Sequence, residues 1–297
     1  MTGPDRRRTV ALALSLVLTL FGAACADAES PDPGAGVPTE GFEVVPVEYA
    51  AGLTEDLYLP EDVGEGTGGG RLRHAPLVVL VPGGSWTTAD PGGLAGLAAS
   101  LAVAGLVAAP ARIRAAVDDD VVYPTPVEDV LCAVAAAVDR ARAEGFAAGP
   151  VAVLGHSSGA HLAALAVLAV DDYSPDCEAP AVAPDALVGL AGPYDIAQVP
   201  EMAGALLGSS PDDDPATWEA ANPVRRADLR PDVPVLLLHG EADDVVPADL
   251  TSQFAQALED AGHPTTVELV PDVDHLGLFA AVVAGEPVAT WLLDLAR

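Results

Sequence analysis

From residue 42 onwards, short runs of β-forming apolar residues alternate with longer stretches of helical composition. The apolar runs cover residues 42–49, 53–59, 76–81, 105–111, 151–155, 186–192, 233–240 and 265–270. The helical stretches cover residues 94–104, 126–144, 158–170, 248–261 and 287–295. Strands that alternate with helices usually pair in parallel and are covered on both faces. The pattern therefore predicts an α/β fold with a mostly parallel eight-stranded sheet and helices on both faces.

Two segments interrupt this alternation. Residues 64–70 are rich in glycine and predict a loop. Residues 200–232 contain a run of aspartates between prolines, and they predict a small cap or insertion between two strands. We expect the whole stretch 42–297 to form one domain, because its length suits a single large core.

The composition excludes several classes of protein. All 13 basic residues are arginine, so the chain lacks the lysine that Schiff-base enzymes and P-loop ATPases need. The formal net charge of −31 disfavours binding to nucleic acid or anionic lipid. The six histidines are scattered without metal-ligand spacing, so we do not expect a histidine-based metal site, and we expect no cofactor.

The N-terminus has the features of an export signal. Three arginines at 6–8 precede an apolar run over 10–21 that is shorter than the roughly 20 residues of a membrane span. Small residues and Cys25 follow, an arrangement that resembles a bacterial lipobox. We predict a lipoprotein-type signal peptide over 1–24 with lipidation at Cys25; the alternative is ordinary cleavage near Ala24 or Ala26.

The segment that follows Cys25 predicts a tether. Residues 25–41 are acidic, rich in proline and glycine, and without apolar periodicity, which favours a flexible linker. We expect an exported protein, either a cell-surface lipoprotein or a secreted one, that touches the membrane only through a lipid on Cys25. In such an oxidising compartment Cys132 and Cys177 favour a disulfide, with two buried thiols as the alternative.

The strongest chemical signal is Gly155-His156-Ser157-Ser158-Gly159, which follows an apolar strand and opens a helix. Glycines two residues before and after the serine let strand and helix approach closely, and the sharp turn exposes the hydroxyl. This context predicts that Ser157 is a nucleophile, whereas a simple packing turn is the alternative.

A nucleophilic serine needs a histidine base, and topology selects His275. The base in this arrangement follows the acid along the chain. His275 comes after the last predicted strand, so it lies at the carboxyl edge of the sheet beside the serine. His263 lies at the opposite edge, and we expect His161 and His239 to have packing or hydrogen-bonding roles.

The acid that orients the base is expected in a loop at the same edge. Asp243 follows the strand 233–240 and is our choice, with Asp244 as its close rival. Asp195 follows the preceding strand and is a further alternative, although a turn-forming role is expected for it.

The remaining catalytic groups are backbone amides that stabilise an oxyanion. We expect one from Ser158, which follows the nucleophile, and others from Gly84 and Ser85 in the loop after the third strand. Trp86 in the same loop is predicted to form a wall of the acyl pocket, with ordinary packing as the alternative.

These segments resemble the α/β hydrolases, in particular the bacterial esterase/lipase group that includes carboxylesterases and feruloyl-esterase-like proteins. The resemblance covers roughly residues 42–297 and lies in the segments 82–86, 123–129, 155–163, 192–195, 239–247 and 274–275. It implies the α/β-hydrolase fold and assigns the acid to Asp243. Pro82 departs from the family, because a histidine that braces the oxyanion loop usually occupies its place.

The sequence as a whole predicts a serine hydrolase that cleaves small-molecule carboxylic esters through an acyl-enzyme. The same residues could cleave amides or peptides, as in arylformamidase-like enzymes, although no propeller domain typical of related peptidases is present. A binding lipoprotein that retains the fold without catalysis is the alternative from another class. The pattern leaves the oligomeric state and the acyl and alcohol specificity open.

Overall fold

The computed structural model describes residues 34, 36–61, 72–117 and 119–297. The predicted signal segment 1–24, Cys25, most of the linker 25–41 and the Gly-rich loop 64–70 lie outside the described residues. Within the described part of the chain, no helix has the length and apolar character needed to span a bilayer.

The described residues form eight strands and seven α-helices in largely alternating order. The strands are β1 (Phe42–Ala50), β2 (Leu53–Pro60), β3 (Arg73–Val81), β4 (Val107–Pro110), β5 (Phe146–His156), β6 (Ala186–Leu190), β7 (Val235–Gly240) and β8 (Thr265–Val270). The helices are α1 (Ala95–Val103), α2 (Thr125–Ala143), α3 (Ser158–Leu168), α4 (Pro200–Leu207), α5 (Pro215–Ala220), α6 (Ala248–Ala261) and α7 (Ala281–Leu295).

All eight strands belong to one sheet with the order β1-β2-β4-β3-β5-β6-β7-β8. Strand β2 pairs antiparallel with β1 and β4, and every other pair is parallel. This arrangement confirms the predicted fold class. Because β4 and β5 lie on opposite sides of β3, the chain reverses its direction of winding there, and ligands of parallel sheets bind at the carboxyl edge of such a point.

The central strand β3 shows how the sheet separates two apolar layers. Leu77 and Val79 pack into the layer that α2, α3 and α6 cover, and the alternate side chains of Val78 and Leu80 pack beneath α1 and α7. All four side chains are fully buried. A strand buried on both faces reads as a continuous apolar run, because successive side chains point in opposite directions.

A disulfide joins Cys132 of α2 to Cys177, which lies in the connection that leads to β6. The two Cα atoms are 5.1 Å apart, within the range that a disulfide requires. The predicted bridge is therefore confirmed, and the alternative of two free thiols is not what the structure shows.

The segment 200–232 connects β6 to β7 and folds into α4, α5 and a 3₁₀ turn at Pro223–Arg226. It packs beside the helices of one layer. The Leu206 carbonyl accepts a hydrogen bond from Tyr123 N, and the Ala221 carbonyl accepts one from the ring of His161 in α3. The segment is thus an insertion between two strands of the sheet.

Candidate active site

Ser157 occupies a strained turn between β5 and α3. Its φ of +54° lies in the left-handed region, which costs a residue other than glycine about 1–3 kcal/mol. A β-carbon on Gly155 would lie 2.2 Å from the Gly159 carbonyl oxygen, and one on Gly159 would lie 2.3 Å from the Val81 oxygen. Both glycines are therefore required for the strand, the helix and the end of β3 to meet, and this close approach places Ser157 on the cavity at the carboxyl edge of the sheet.

Ser157 and His275 line one cavity of about 420 Å³ at the carboxyl edge of the sheet. Its wall combines the loop after β3, the turn after β5 and the connections after β7 and β8. The lining residues are Pro82, Gly83, Gly84, Ser85, Asp90, Gly93, Leu94, His156, Ser157, Val245, His275, Leu276 and Phe279. The insertion 200–232 supplies none of these lining residues.

The base and the acid predicted from topology are paired. His275 Nδ1 lies 2.7 Å from Asp243 Oδ2, and both side chains are almost completely buried. The other oxygen of Asp243 accepts hydrogen bonds from the backbone N–H groups of Val245 and Val246, at 2.9 and 2.8 Å. The carboxylate is thereby fixed in position, and it selects the His275 tautomer that carries its proton on Nδ1 and leaves Nε2 free to accept one.

The electrostatics of the pair favour a charged Asp243. Burial alone would raise the pKa of this carboxyl group, but hydrogen bonds from His239, His275 and the Val246 N–H outweigh burial and hold the pKa well below its usual value. Asp243 therefore remains an anion over the physiological range and can stabilise a proton on the imidazole.

The structure separates Asp243 from its rivals. Asp244 is exposed to solvent. Asp195 caps a 3₁₀ turn by accepting from Ala197 N, and it also accepts a hydrogen bond of 2.7 Å from Asn222 Nδ2. Its expected role in a turn agrees with this arrangement. No group of three or more metal-ligating side chains is found among the described residues.

The loop after β3 has an unusual backbone. Gly84, Ser85 and Trp86 have φ values of +139°, +53° and +60°. The Gly84 carbonyl is turned into its own loop, where it accepts hydrogen bonds from the N–H groups of Thr87 and Thr88 at 3.0 and 3.2 Å. Gly84 and Ser85 both line the cavity. Ser158 is the first residue of α3, a position whose N–H has no acceptor within its helix.

Trp86 was predicted to form a wall of the pocket, but it does not line the cavity. It is 3% exposed, and its indole N–H donates a 3.2 Å hydrogen bond to Nδ1 of His161. Burial lowers the pKa of His161 to about 4, so the ring is neutral and donates through Nε2 to the Ala221 carbonyl. Trp86 thus anchors the loop after β3 to α3. This agrees with the alternative interpretation of the sequence, in which Trp86 has an ordinary packing role.

Sequence reasoning missed several residues around the base. His156 Nε2 donates a 2.9 Å hydrogen bond to the His275 carbonyl, and burial, together with the neighbouring His275, lowers the pKa of His156 to about 4. Its ring packs against those of His275 and Phe279, with centroids 4.7 Å away in each case. Gly83 approaches Ser157 so closely that a β-carbon on it would lie 2.9 Å from Ser157 Cβ. Gly83 was visible as the first glycine of the loop motif, whereas the partners of His156 depend on the tertiary fold.

Comparison with known proteins gives the chain a family. The BD-FAE family model matches residues 56–258, a range that contains Ser157 and Asp243 and ends before His275. The esterases LipQ and LipC of Mycobacterium tuberculosis are 29% and 32% identical over 234 and 202 residues, which are 75% and 63% of this chain. The chain spans about half the length of these curated relatives, at 55% and 49%.

Solved structures agree on the fold. A truncated carbohydrate esterase from gut microbiota superposes with a TM-score of 0.67 and 22% identity over 82% of this chain and 90% of its own. A thermophilic esterase from Thermogutta terrifontis, with propionate bound, superposes with a TM-score of 0.66 and 22% identity over 86% of this chain and 94% of its own. The chain belongs to the BD-FAE family and has the α/β-hydrolase fold.

Proposed function

We propose that the protein hydrolyses carboxylic esters of small molecules, with Ser157 as nucleophile, His275 as base and Asp243 as the acid that orients the base. The observation that carries the proposal is the 2.7 Å contact between His275 and Asp243 on the cavity that Ser157 lines. The names of the relatives LipQ and LipC, both esterases, support the same reaction class.

In the proposed reaction His275 takes the hydroxyl proton as Ser157 Oγ attacks the acyl carbon. Asp243 stabilises the imidazolium ion that forms without accepting its proton. Backbone N–H groups of Gly84, Ser85 and Ser158 stabilise the negative oxygen of the tetrahedral intermediate, and the positive end of α3 adds to this effect. The alcohol leaves with the proton from His275, and water then attacks the acyl-enzyme by the same route.

The reaction is tested with short p-nitrophenyl esters and a matched amide. We expect the parent to hydrolyse the ester, and Ser157→Ala to lose at least about 10³-fold in kcat while keeping its melting temperature. A fluorophosphonate probe should label the parent and leave Ser157→Ala unlabelled. Turnover that survives in Ser157→Ala would reject the mechanism, and a parent that neither turns over nor reacts with the probe would identify a binding protein.

We also propose that the domain 42–297 is exported and held by a lipid on Cys25. The disulfide between Cys132 and Cys177 supports an oxidising compartment, and the acidic stretch 25–41 supplies a spacer. Mass spectrometry of the mature N-terminus tests this proposal. A diacylated Cys25 in the membrane fraction and a soluble Cys25→Ala protein are expected, whereas an unprocessed N-terminus in the cytosol would reject export.

A further inference from the structure

His239 of β7 lies next to the acid of the candidate site and is completely buried. Its Nδ1 is 2.7 Å from the hydroxyl of Thr251 on α6. Its Nε2 is 2.9 Å from the Val246 carbonyl oxygen and 3.2 Å from Asp243 Oδ2. A continuous chain of polar contacts therefore runs from Thr251 through His239 and Asp243 to His275.

The chemistry of these partners fixes the proton on His239. A carbonyl oxygen and a carboxylate oxygen can only accept, so Nε2 must carry a hydrogen, which is shared between Val246 and Asp243. In the neutral ring Nδ1 is then an acceptor, and the Thr251 hydroxyl donates to it. Thr251 is fully buried, so no bulk water can replace its hydroxyl.

His239 also closes the turn that carries the acid. The N–H of Val246 donates to Asp243 Oδ1 at 2.8 Å, while the carbonyl of the same residue accepts from His239 Nε2. Both backbone polar groups of Val246 are thus hydrogen-bonded, its N–H to the Asp243 carboxylate and its carbonyl to the His239 ring. Without the ring, Asp243 Oδ2 would keep only its bond to His275, and the turn would be held from one side.

We propose that His239 is a positioning residue, which, with its tautomer supported by Thr251, holds Asp243 Oδ2 in line with His275. This inference rests on the proposed ester hydrolysis. Neither His239 nor Thr251 lines the cavity, so their effect reaches the substrate only through Asp243. The lowered pKa of Asp243 agrees with the role, since the His239 hydrogen bond is one of the interactions that overcome the opposing effect of burial.

The decisive comparison is between Thr251→Val and Thr251→Ser. Valine keeps the shape of threonine and removes the hydroxyl, whereas serine keeps the hydroxyl. We expect Thr251→Val to lower kcat about tenfold with little change in KM, because a hydrogen bond to a buried ring is lost without any change in the cavity. Thr251→Ser should retain most of the parental kcat. Ser252→Ala, which removes an exposed hydroxyl one residue further along α6, is the matched control.

A second pair tests the ring itself. His239→Leu should lower kcat about a hundredfold, and His239→Gln, whose amide can donate from nearly the same place, should recover part of the loss. Each kcat is divided by the number of Ser157 sites that react to completion with a fluorophosphonate, so that unfolded protein does not count. If His239→Leu does not fold, the two Thr251 variants and His239→Gln still test the positioning role of His239.

The outcomes separate this inference from the proposed function. A parent without turnover or Ser157 labelling would reject the function itself. An active parent whose Thr251→Val variant has the parental kcat per site would overturn the role of His239 alone. Equal losses in Thr251→Val and Thr251→Ser would also overturn it, because packing at position 251 rather than the hydroxyl would then matter.

Discussion

The indole N–H of Trp86 donates to Nδ1 of His161 across 3.2 Å, and the two rings meet edge to face with centroids 5.2 Å apart. His161 in turn donates to the Ala221 carbonyl. This link joins the loop after β3, helix α3 and the insertion 200–232. The position of the loop after β3 therefore depends on an insertion that contributes no residue to the wall of the cavity.

Trp86→Phe should weaken both stability and catalysis. The ring remains, but Nδ1 of His161 loses its donor, and a buried unpaired acceptor destabilises a protein by about 1–3 kcal/mol. We expect a lower free energy of unfolding in urea and a reduced kcat, because the loop that contains Gly84 and Ser85 loses its anchor.

Trp218→Phe is the control for this prediction. The Trp218 indole donates a 3.2 Å hydrogen bond to the Ser209 carbonyl, within the insertion. Its loss should change stability in the same direction and leave kcat unchanged. Equal effects of the two substitutions on kcat would contradict a specific role of Trp86 in holding the loop after β3.

Gly159→Ala should disrupt the turn that carries Ser157. The added β-carbon would lie 2.3 Å from the Val81 oxygen and 2.5 Å from the Pro82 oxygen, so the backbone itself must move. We expect destabilisation of more than about 3 kcal/mol or a loss of fluorophosphonate labelling in the folded protein. Gly204→Ala in α4, where the nearest atom is 4.0 Å away, should be neutral or slightly stabilising. Normal labelling and stability in Gly159→Ala would show that the close approach is dispensable.

Glu55 makes the stability of the fold depend on pH. Its side chain is 2% exposed, neither carboxyl oxygen has a hydrogen-bond partner in the described structure, and burial raises its pKa well above the ordinary value of 4.5. The unfolded chain releases this proton near pH 4.5 and the folded chain only at higher pH, so the contribution to stability falls as the pH rises above 4.5.

Glu55→Gln removes this titration. We expect the free energy of unfolding of the variant, relative to the parent, to increase from pH 4 towards pH 8. Urea denaturation at several pH values measures the difference, with Asp56→Asn at an exposed position of the same strand as the control. A difference for Glu55→Gln that does not change with pH would contradict the assignment.

The disulfide should contribute mainly to stability. Cys132 and Cys177 are 45 residues apart in the chain, and closing a loop of that size stabilises a fold by about 4 kcal/mol in the chain-entropy estimate. We expect the double variant Cys132→Ala, Cys177→Ala to unfold at lower urea concentration than the parent and to keep kcat at 25 °C. A large loss of kcat in folded double variant would show that the bridge also shapes the cavity.

The sequence was sufficient for the parts of the molecule that follow from local pattern and strand order. Continuous apolar runs predicted β3 and β5, and the rule that parallel strands share a carboxyl edge placed His275 near Ser157. The same rule separated His275 from His263, whose two ring nitrogens each lie 2.9 Å from a backbone carbonyl, those of Val233 and Ala227.

Features that depend on packing between distant segments could not be predicted. Nothing local shows that Trp86 faces His161 rather than the cavity, since both orientations bury an indole. The helix predicted over 287–295 begins at Ala281, because Pro287 looked like a start and instead lies within α7. Close packing of α7 on α1, where a β-carbon on Gly285 would meet Ser100 Oγ at 2.7 Å, accompanies that longer helix.

The apolar residues of the cavity wall belong to the segments that connect strands and helices, and none of them belongs to a strand of the sheet. Leu94 follows β3, Val245 follows β7, and Leu276 and Phe279 follow β8. During evolution, such connections can lengthen, shorten or exchange side chains while the buried strands keep their sequence. Descendants of this chain could therefore change the shape and the apolar lining of the cavity while the strands of the sheet keep their packing.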